Sequence, residues 1–303
     1  MTTRAIAIPA FAALAALAFY QEAQSQSNFV EKLAPDVWVR KQDPSKNIIA
    51  NAGRVVFRDY VLAIDANYPW GAKAIVADIR KTTSKPIKFA FDTHYHADHA
   101  FGNSVFVDAG ATIVCSRECT EESLAKNPKA WEGNTATGDY SLKPYRLEHP
   151  QVAFDGKMVF DDGQHRVELI RVGPGHTRGD AVAWLPKERI LFTGDLCTTS
   201  AGNNMADVDA NHDSWLRALD NLLTFDVVKL VPGHGPLSGA DGIQRQRAYL
   251  ASIIEGVRTG LGKGTPVEKL MTEIDLSAHK PKADNADGNG RNIKAVYLKL
   301  SQR

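Results

Sequence analysis

The 303-residue chain is 44% hydrophobic and 23% charged, which is typical of a folded globular protein and excludes a disordered or fibrous one. Its 36 Lys and Arg against 35 Asp and Glu give a formal charge of +1, without the strongly basic balance of a nucleic-acid binder. Three cysteines are too few for a disulfide-stapled scaffold or a four-thiolate zinc site, so burial must stabilise the fold.

Residues 1–25 have the layout of a secretory signal peptide. Arg4 precedes an uncharged apolar run at 5–19, and the small residues of Ala23-Gln24-Ser25 offer a cleavage point. The run is shorter than the roughly 20 residues that cross a bilayer. We therefore expect a mature chain that begins near Gln26 and acts in the periplasm or outside the cell, without stable membrane insertion. A retained N-terminal anchor is the alternative.

After residue 28, short apolar segments at close spacing predict a β-rich first part of the chain. Strands are predicted at residues 37–39, 47–50, 54–57 and 60–64. Turn residues such as Asp43-Pro44 and Asn51-Ala52-Gly53 separate them, so we expect antiparallel pairing. A helix at 70–80 and strands at 87–91 and 111–115 follow.

The second half repeats this succession of strands and helices. Strands are predicted at 158–160, 166–172, 181–185, 189–193 and 227–231, and helices at 214–223, 243–260 and 267–273. A last helix presents Ile293, Val296, Tyr297 and Leu300 on one face, as a helix that packs on the protein does. We predict an α/β fold of two packed sheets with outer helices.

The segment Thr93-His94-Tyr95-His96-Ala97-Asp98-His99 carries the strongest functional signal. It places three of the nine histidines and one carboxylate at the carboxyl end of the predicted strand 87–91, where α/β proteins hold their sites. In extended backbone His94 and His96 share a face, which leaves Asp98 and His99 for a second ion. Imidazole and carboxylate suit zinc and similar divalent ions, so we predict a metal site.

Three further loops each follow a predicted apolar strand and carry one potential ligand beside glycine. They offer His176 in Gly175-His176, Asp195 in Gly194-Asp195 and His234 in Gly233-His234. Glycine lets the backbone turn closely around an ion. Alone each is weak evidence, but together with the first cluster they predict convergence on one site.

Together these motifs resemble those of the metallo-β-lactamase superfamily, whose HxHxDH motif and later His, Asp and His occur here in the same order. The resemblance covers residues 30–240 and implies a four-layer αβ/βα sandwich with two metal ions, Zn²⁺ by expectation and iron or manganese as alternatives. The implied ligands are His94, His96 and His176 for one zinc and Asp98, His99 and His234 for the other, with Asp195 bridging them. We accordingly expect a catalytic domain at 28–240 and a C-terminal helical extension at 241–303 packed on it.

The implied chemistry is hydrolysis by a hydroxide bound between two zinc ions, which also polarise the substrate carbonyl. Asp98 is the expected catalytic residue, because it can orient that hydroxide as well as bind metal. Motifs of other hydrolases and of nucleotide-binding proteins, G-x-S-x-G, H-E-x-x-H and the P-loop, do not occur in the sequence. Asp65 is either a carboxylate that holds a ligand imidazole or a turn residue.

Two cues favour different substrates. His99 and Asp195 differ from the ligand pattern of the best-known zinc β-lactamases, so the chain resembles the glyoxalase II type and hydrolases of small esters, thioesters or lactones. Export instead suits a β-lactamase that hydrolyses β-lactam antibiotics, or an accessory hydrolase of a periplasmic oxidation system. A non-hydrolytic diiron or persulfide-handling oxidoreductase is a further alternative. A small carbonyl compound is the expected partner, without nucleic acid, and the oligomeric state is not predicted.

Some residues outside the motifs also allow alternatives. Arg178 could meet a substrate carboxylate, although a surface salt bridge is favoured, and residues 198–211 form either a substrate loop or a solvated one. Cys115 and Cys119 are interpreted as buried thiols rather than a disulfide, and Cys197 is expected to be buried. The remaining histidines are interpreted as ordinary surface or core residues: His149, His165, His212 and His279.

Overall fold

The computed structural model describes residues 29–200, 202–279 and 286–302, so the predicted signal peptide lies outside the described residues. The first sheet has seven strands whose spatial order is also their chain order. They are β1 (Val30–Ala34), β2 (Val37–Arg40), β3 (Ala52–Val56), β4 (Val61–Ile64), β5 (Ile87–Phe91), β6 (Thr112–Ser116) and β7 (Val152–Phe154). Strands β1 to β4 pair antiparallel, and β4 to β7 pair parallel. The antiparallel pairing predicted for the strands at 37–39, 54–57 and 60–64 is confirmed.

The second sheet has five strands in the spatial order β12-β11-β10-β9-β8. They are β8 (Lys157–Asp161), β9 (Arg166–Arg171), β10 (Ala181–Leu185), β11 (Ile190–Phe192) and β12 (Lys229–Val231). Strands β8 to β11 pair antiparallel, and β12 joins β11 in parallel. The carboxyl ends of β11 and β12 therefore lie side by side, which brings together the loops that carry Asp195 and His234.

The α-helices of the described residues connect and cover the two sheets. They are α1 (Pro69–Thr82), α2 (Ala97–Ala100), α3 (Asn103–Asp108), α4 (Arg117–Glu132), α5 (His212–Leu222), α6 (Ala240–Gly262), α7 (Val267–Glu273) and α8 (Ala286–Ser301). Within the described ranges, no helix is long and apolar enough to cross a membrane.

Side chains alternate between the two faces of each strand, so the first sheet packs against two hydrophobic cores. In β4, Leu62 and Ile64 face the second sheet, whereas Ala63 packs with Ile75 and Phe106 under the helices α1 and α3. Because successive side chains point to opposite faces, a fully apolar strand is buried on both sides.

The second sheet follows the same rule. In β10, Ala183 faces the first sheet, whereas Val182 and Trp184 pack against a cluster that includes Trp215 of α5 and Ile253 of α6. The layers are therefore helix, sheet, sheet and helix, and the predicted four-layer α/β sandwich is confirmed.

Helix α8 packs against the helices α6 and α7, within the hydrophobic cluster that covers the second sheet. Ile293 and Val296 belong to the same hydrophobic cluster as Trp215, and Tyr297 and Leu300 pack against it. The predicted use of this apolar stripe is thus confirmed. The boundary between a catalytic part at 28–240 and an extension at 241–303 stays a prediction.

The predicted strand at 47–50 is wrong. Pro44 begins a 3-10 turn that ends at Lys46, the Asp43 side chain accepts a 3.2 Å hydrogen bond from Ser45 N, and Asn47 then adopts a left-handed conformation with φ of 50°. The turn reverses the chain, so only an isolated bridge between Asp43 and Ile48 forms here.

The interpretation of Cys115 and Cys119 as free thiols is also wrong, because the structure joins them in a disulfide. Cys115 lies in β6, and Cys119 lies in the first turn of α4, which doubles back over the strand. Their Cα atoms are 5.9 Å apart, within the range that a disulfide spans. Cys197 is buried, as predicted.

Candidate metal centre

The HxHxDH segment changes conformation at its centre, and this change divides its side chains between two groups. His96 is the extended residue before α2, and its carbonyl oxygen accepts hydrogen bonds of 3.0 and 2.9 Å from His99 N and Ala100 N. His94 lies in the bend at residues 93–95 just before it, and the Nε2 atom of His94 lies 3.1 Å from His96 Nδ1. Asp98 and His99 project instead from the first turn of the helix.

His176 completes a group of three imidazoles. Its Nε2 lies 3.0 Å from His96 Nδ1, and His94 belongs to the same group. Two neutral imidazole acceptors repel at this distance unless a proton or a cation lies between them. In a tetrahedral zinc site with Zn–N bonds of about 2.0–2.1 Å, two ligand nitrogens are about 3.3 Å apart. The spacing of these nitrogens therefore fits a zinc ion.

Asp98, His99 and His234 form a second group. The Nε2 of His234 lies 3.1 Å from Asp98 Oδ2 and 3.4 Å from His99 Nε2. Asp195 lies between the two groups, with Oδ1 3.3 Å from His234 Nε2 and Oδ2 3.7 Å from His176 Nε2. Among the described residues the buried Oδ1 has no hydrogen-bond partner, which suits an oxygen that binds a cation.

Two glycines let Asp195 approach the site. Gly194 has a φ of +50°, and a Cβ there would lie 2.1 Å from Thr93 Oγ1. A Cβ at Gly233 would lie 2.0 Å from Asp195 Oδ1. Both positions exclude any side chain, so the glycines noted in the sequence are required by close packing around the carboxylate.

Without a bound metal ion, the site holds both neutral and protonated imidazoles. Burial lowers the pKa of His94 well below its usual range and that of His176 to about 4, so both imidazoles are neutral at pH 7. Burial raises the pKa of Asp98, but the charges of His99 and His234 outweigh it and lower that pKa to about 2. Burial also lowers the pKa of His99 and His234, but neighbouring carboxylates outweigh it and raise both pKa values, that of His234 to about 10. A metal ion must therefore displace a proton from these two rings when it binds.

Hydrogen bonds on the far side of the rings orient the second group. Asp65 Oδ2 accepts a 3.0 Å hydrogen bond from His99 Nδ1, and the carbonyl oxygen of Ile49 accepts one of 2.7 Å from His234 Nδ1. Both histidines thus turn Nε2 towards the centre. Of the two alternatives for Asp65, the structure thus shows the contact with the His99 imidazole, and the role of His99 as a metal ligand stays a prediction.

The structure also brings in residues that the sequence did not indicate. Asp207 Oδ2 lies 3.0 Å from His96 Nε2, and Tyr95 donates a 2.9 Å hydrogen bond to Asp209 Oδ2. Both carboxylates belong to residues 198–211. The sequence indicated them only by marking that segment as a possible substrate loop. Arg178 pairs with Glu121, so the favoured surface salt bridge is confirmed.

Comparison with known proteins agrees with this architecture. The family model described as the metallo-beta-lactamase superfamily matches residues 49–234. A protein named Metallo-beta-lactamase type 2 from Elizabethkingia meningoseptica is 26% identical over 224 residues, which is 71% of this chain and 82% of that protein. Metallo-beta-lactamase IND-1 from Chryseobacterium indologenes is 25% identical over 206 residues, or 66% of this chain and 77% of that protein.

Among solved structures, a metallo-beta-lactamase from Pontibacter korlensis superposes with a TM-score of 0.61 at 21% identity, covering 73% of this chain and 97% of that one. At this identity the similarity bears on the fold alone. The matched family model spans more than half of the chain, so the protein belongs to the metallo-β-lactamase superfamily. The expectation of a metal-dependent hydrolase is thereby confirmed at the level of enzyme class.

Proposed function

We propose that this member of the superfamily is an exported hydrolase of a small ester, thioester, lactone or cyclic amide. Two zinc ions would supply a hydroxide that attacks the substrate carbonyl carbon, and the acyl C–O, C–S or C–N bond would break. One observation carries the proposal: two groups of potential ligands converge, and the Asp195 carboxylate lies between them. The ligands that we assign to the two ions are His94, His96 and His176, and Asp98, His99 and His234.

Two bound zinc ions would supply hydroxide near neutral pH and polarise a substrate carbonyl. The protein contributes a site that is buried on one side and open to solvent on the other. The side chains of His99 and His176 are at most 1% exposed, whereas those of His96, Asp98 and His234 are 19–21% exposed. A substrate therefore approaches past these three residues.

Asp98 is the residue that we assign to catalysis. It lies at the open side, and its low pKa keeps it ionised, so its carboxylate can accept a hydrogen bond from an attacking water and orient it. Its Oδ2 also lies 3.1 Å from His234 Nε2, which holds it within the second group.

The substrate class has two leading candidates. The names of the two relatives, both metallo-beta-lactamases, support a cyclic amide of the β-lactam type. Asp195 and His99, whose Oδ1 and Nε2 are 3.4 Å apart, support the ester and thioester class, because a His in the second group and an Asp between the groups are the glyoxalase II-like features of the sequence.

Export is supported by two independent features. The first 25 residues have a signal-peptide layout, and the disulfide between Cys115 and Cys119 is of a kind that persists in oxidising compartments such as the periplasm.

The test is hydrolysis by the zinc-loaded mature chain of a chromogenic cephalosporin, a nitrophenyl ester, an acyl thioester and a lactone. At least one class should be cleaved with kcat/KM above about 10⁴ M⁻¹s⁻¹, and a chelator should abolish the activity. Asp98→Asn should lose that activity, whereas the matched variant Asp59→Asn, in the exposed turn between β3 and β4, should keep it. Absence of chelator-sensitive hydrolysis in all four classes would overturn the proposal.

A further inference from the structure

Two carboxylates on the loop between β11 and α5 reach adjacent residues of the HxHxDH segment. Asp207 Oδ2 lies 3.0 Å from His96 Nε2, and Asp209 Oδ2 accepts a 2.9 Å hydrogen bond from Tyr95 OH. The backbone N–H of Asp209 also donates to Asp207 Oδ1 at 2.9 Å, which fixes one carboxylate relative to the other. This loop therefore contacts the HxHxDH segment through two side chains.

The contact with Asp207 decides which nitrogen of His96 faces the metal centre. A proton on Nε2 bonds to the carboxylate, and this leaves the lone pair of Nδ1 directed at His94 and His176, whose Nε2 atoms are 3.1 and 3.0 Å away. Without the carboxylate, the other tautomer places a proton on Nδ1, in the middle of the three imidazoles. That proton competes with a metal ion.

The loop that carries Asp207 has little regular structure of its own, and helix α8 supplies hydrogen bonds for its backbone. The Lys299 ammonium donates to the carbonyl oxygens of Asp207 and Val208 at 3.1 and 3.0 Å, and also to that of Ala210. Asn292 of the same helix donates to Asn203 O at 2.6 Å and accepts from Met205 N at 3.0 Å. The C-terminal helix thus holds the middle and the end of this loop.

Helix α4 holds the loop from the other side. Lys126 forms ion pairs with Asp209 and Glu122, and its ammonium lies 4.8 Å from the centre of the Tyr95 ring. Glu122 accepts a 3.1 Å hydrogen bond from Gly179 N, in the loop that follows His176. Loop, motif and His176 are therefore joined through one charged network.

We propose that Asp207 is a positioning residue that fixes His96 as an Nδ1 ligand, and that helix α8, through Lys299, sets the metal affinity of the three-histidine site by holding Asp207 in place. This inference rests on the proposed function, since it requires His94, His96 and His176 to bind metal. In this proposal the C-terminal helix stabilises the metal site and also packs in the hydrophobic core.

The test is zinc affinity, measured on the full mature chain by competition with a chromogenic chelator. Asp207→Asn should weaken binding about 10- to 100-fold, as loss of an outer carboxylate does. Lys299→Met should weaken it in the same direction, and Lys299→Arg, which keeps the donors, should restore it. Lys294→Met, at an exposed position of the same helix, should bind zinc like the wild type.

A double variant separates this route from a general loss of stability. If Lys299 acts through Asp207, Lys299→Met should add nothing to the Asp207→Asn defect. In the metal-free protein, ¹⁵N shifts of the His96 ring should report the Nε2–H tautomer in the wild type and a mixture in Asp207→Asn.

Wild-type zinc affinity in Asp207→Asn, or an undiminished Lys299 effect in the double variant, would overturn this inference and leave the proposed function intact. A wild-type chain that binds no zinc would overturn both.

Discussion

Replacing Asp65 by Asn should disable the second metal group and spare the fold. Asp65 is 3% exposed, and its carboxylate accepts hydrogen bonds from Thr93 N at 2.8 Å, from Thr93 Oγ1 at 3.1 Å and from His99 Nδ1 at 3.0 Å. Its φ of 61° lies in the left-handed region, which Asn tolerates better than other non-glycine residues. Asn can keep the bond from Thr93 N but turns an N–H towards His99 Nδ1.

The new side-chain N–H and the Nδ1–H of His99 are both donors and cannot bond to each other. The His99 proton therefore moves to Nε2, and Nε2 can then no longer bind metal. We expect an about 10- to 100-fold loss of affinity for the second ion, or about 1.4–2.7 kcal/mol. Asp65→Ala should in addition leave the buried Thr93 N–H unpaired, at a cost of about 1–3 kcal/mol in unfolding free energy. Chelator competition gives the affinities and urea unfolding gives the stabilities, with Asp59→Asn as a surface control. If Asp65→Asn bound both zinc ions with wild-type affinity, the reasoning would be refuted.

Three further substitutions or conditions test separate parts of the structure. Gly233→Ala should reduce bound zinc below two per chain by elemental analysis, because its Cβ would lie 2.0 Å from Asp195 Oδ1; an unchanged metal content would contradict this. Trp215→Ala should cost about 3–5 kcal/mol in urea unfolding, because the side chain is fully buried and Nε1 donates to Leu196 O at 2.9 Å; a loss below 1 kcal/mol would contradict it. In the metal-free protein, burial lowers the pKa of His234, but Asp195 and Asp98 outweigh it and raise that pKa from 6.5 to about 10. The resulting stability is complete below pH 6.5 and lost as pH rises through 10, so the unfolding free energy should decline over this range, and His234→Gln should flatten the decline.

The sequence allowed the four-layer fold and the convergence of the ligand loops to be predicted, because both follow from local patterns. Apolar strands such as β5 and β10 appear at their predicted positions, and ligand residues follow strand ends directly. Loops at the carboxyl ends of neighbouring strands must meet, so His94, Asp195 and His234 could be assigned to one site without knowledge of distances.

Contacts made by irregular segments could not be predicted in the same way. Asp207 is separated from His96 by more than a hundred residues, and its position depends on hydrogen bonds from helix α8 to loop carbonyls. The false strand at 47–50 has an apolar pattern, but the turn at Pro44 and the left-handed Asn47 outweigh it. Helix α4 is absent from the predicted helices, because it is polar and contains Pro128.

The most direct test of the central claim is the metal content of the purified mature chain after zinc loading and dialysis, determined by elemental analysis together with that of a His94→Ala, Asp98→Ala double variant. The account predicts about two zinc ions per wild-type chain and less than one in the variant, since each substitution removes a ligand of one group. Less than half an ion per wild-type chain, or equal metal content in the two proteins, would contradict the assignment of this cluster as a binuclear metal centre.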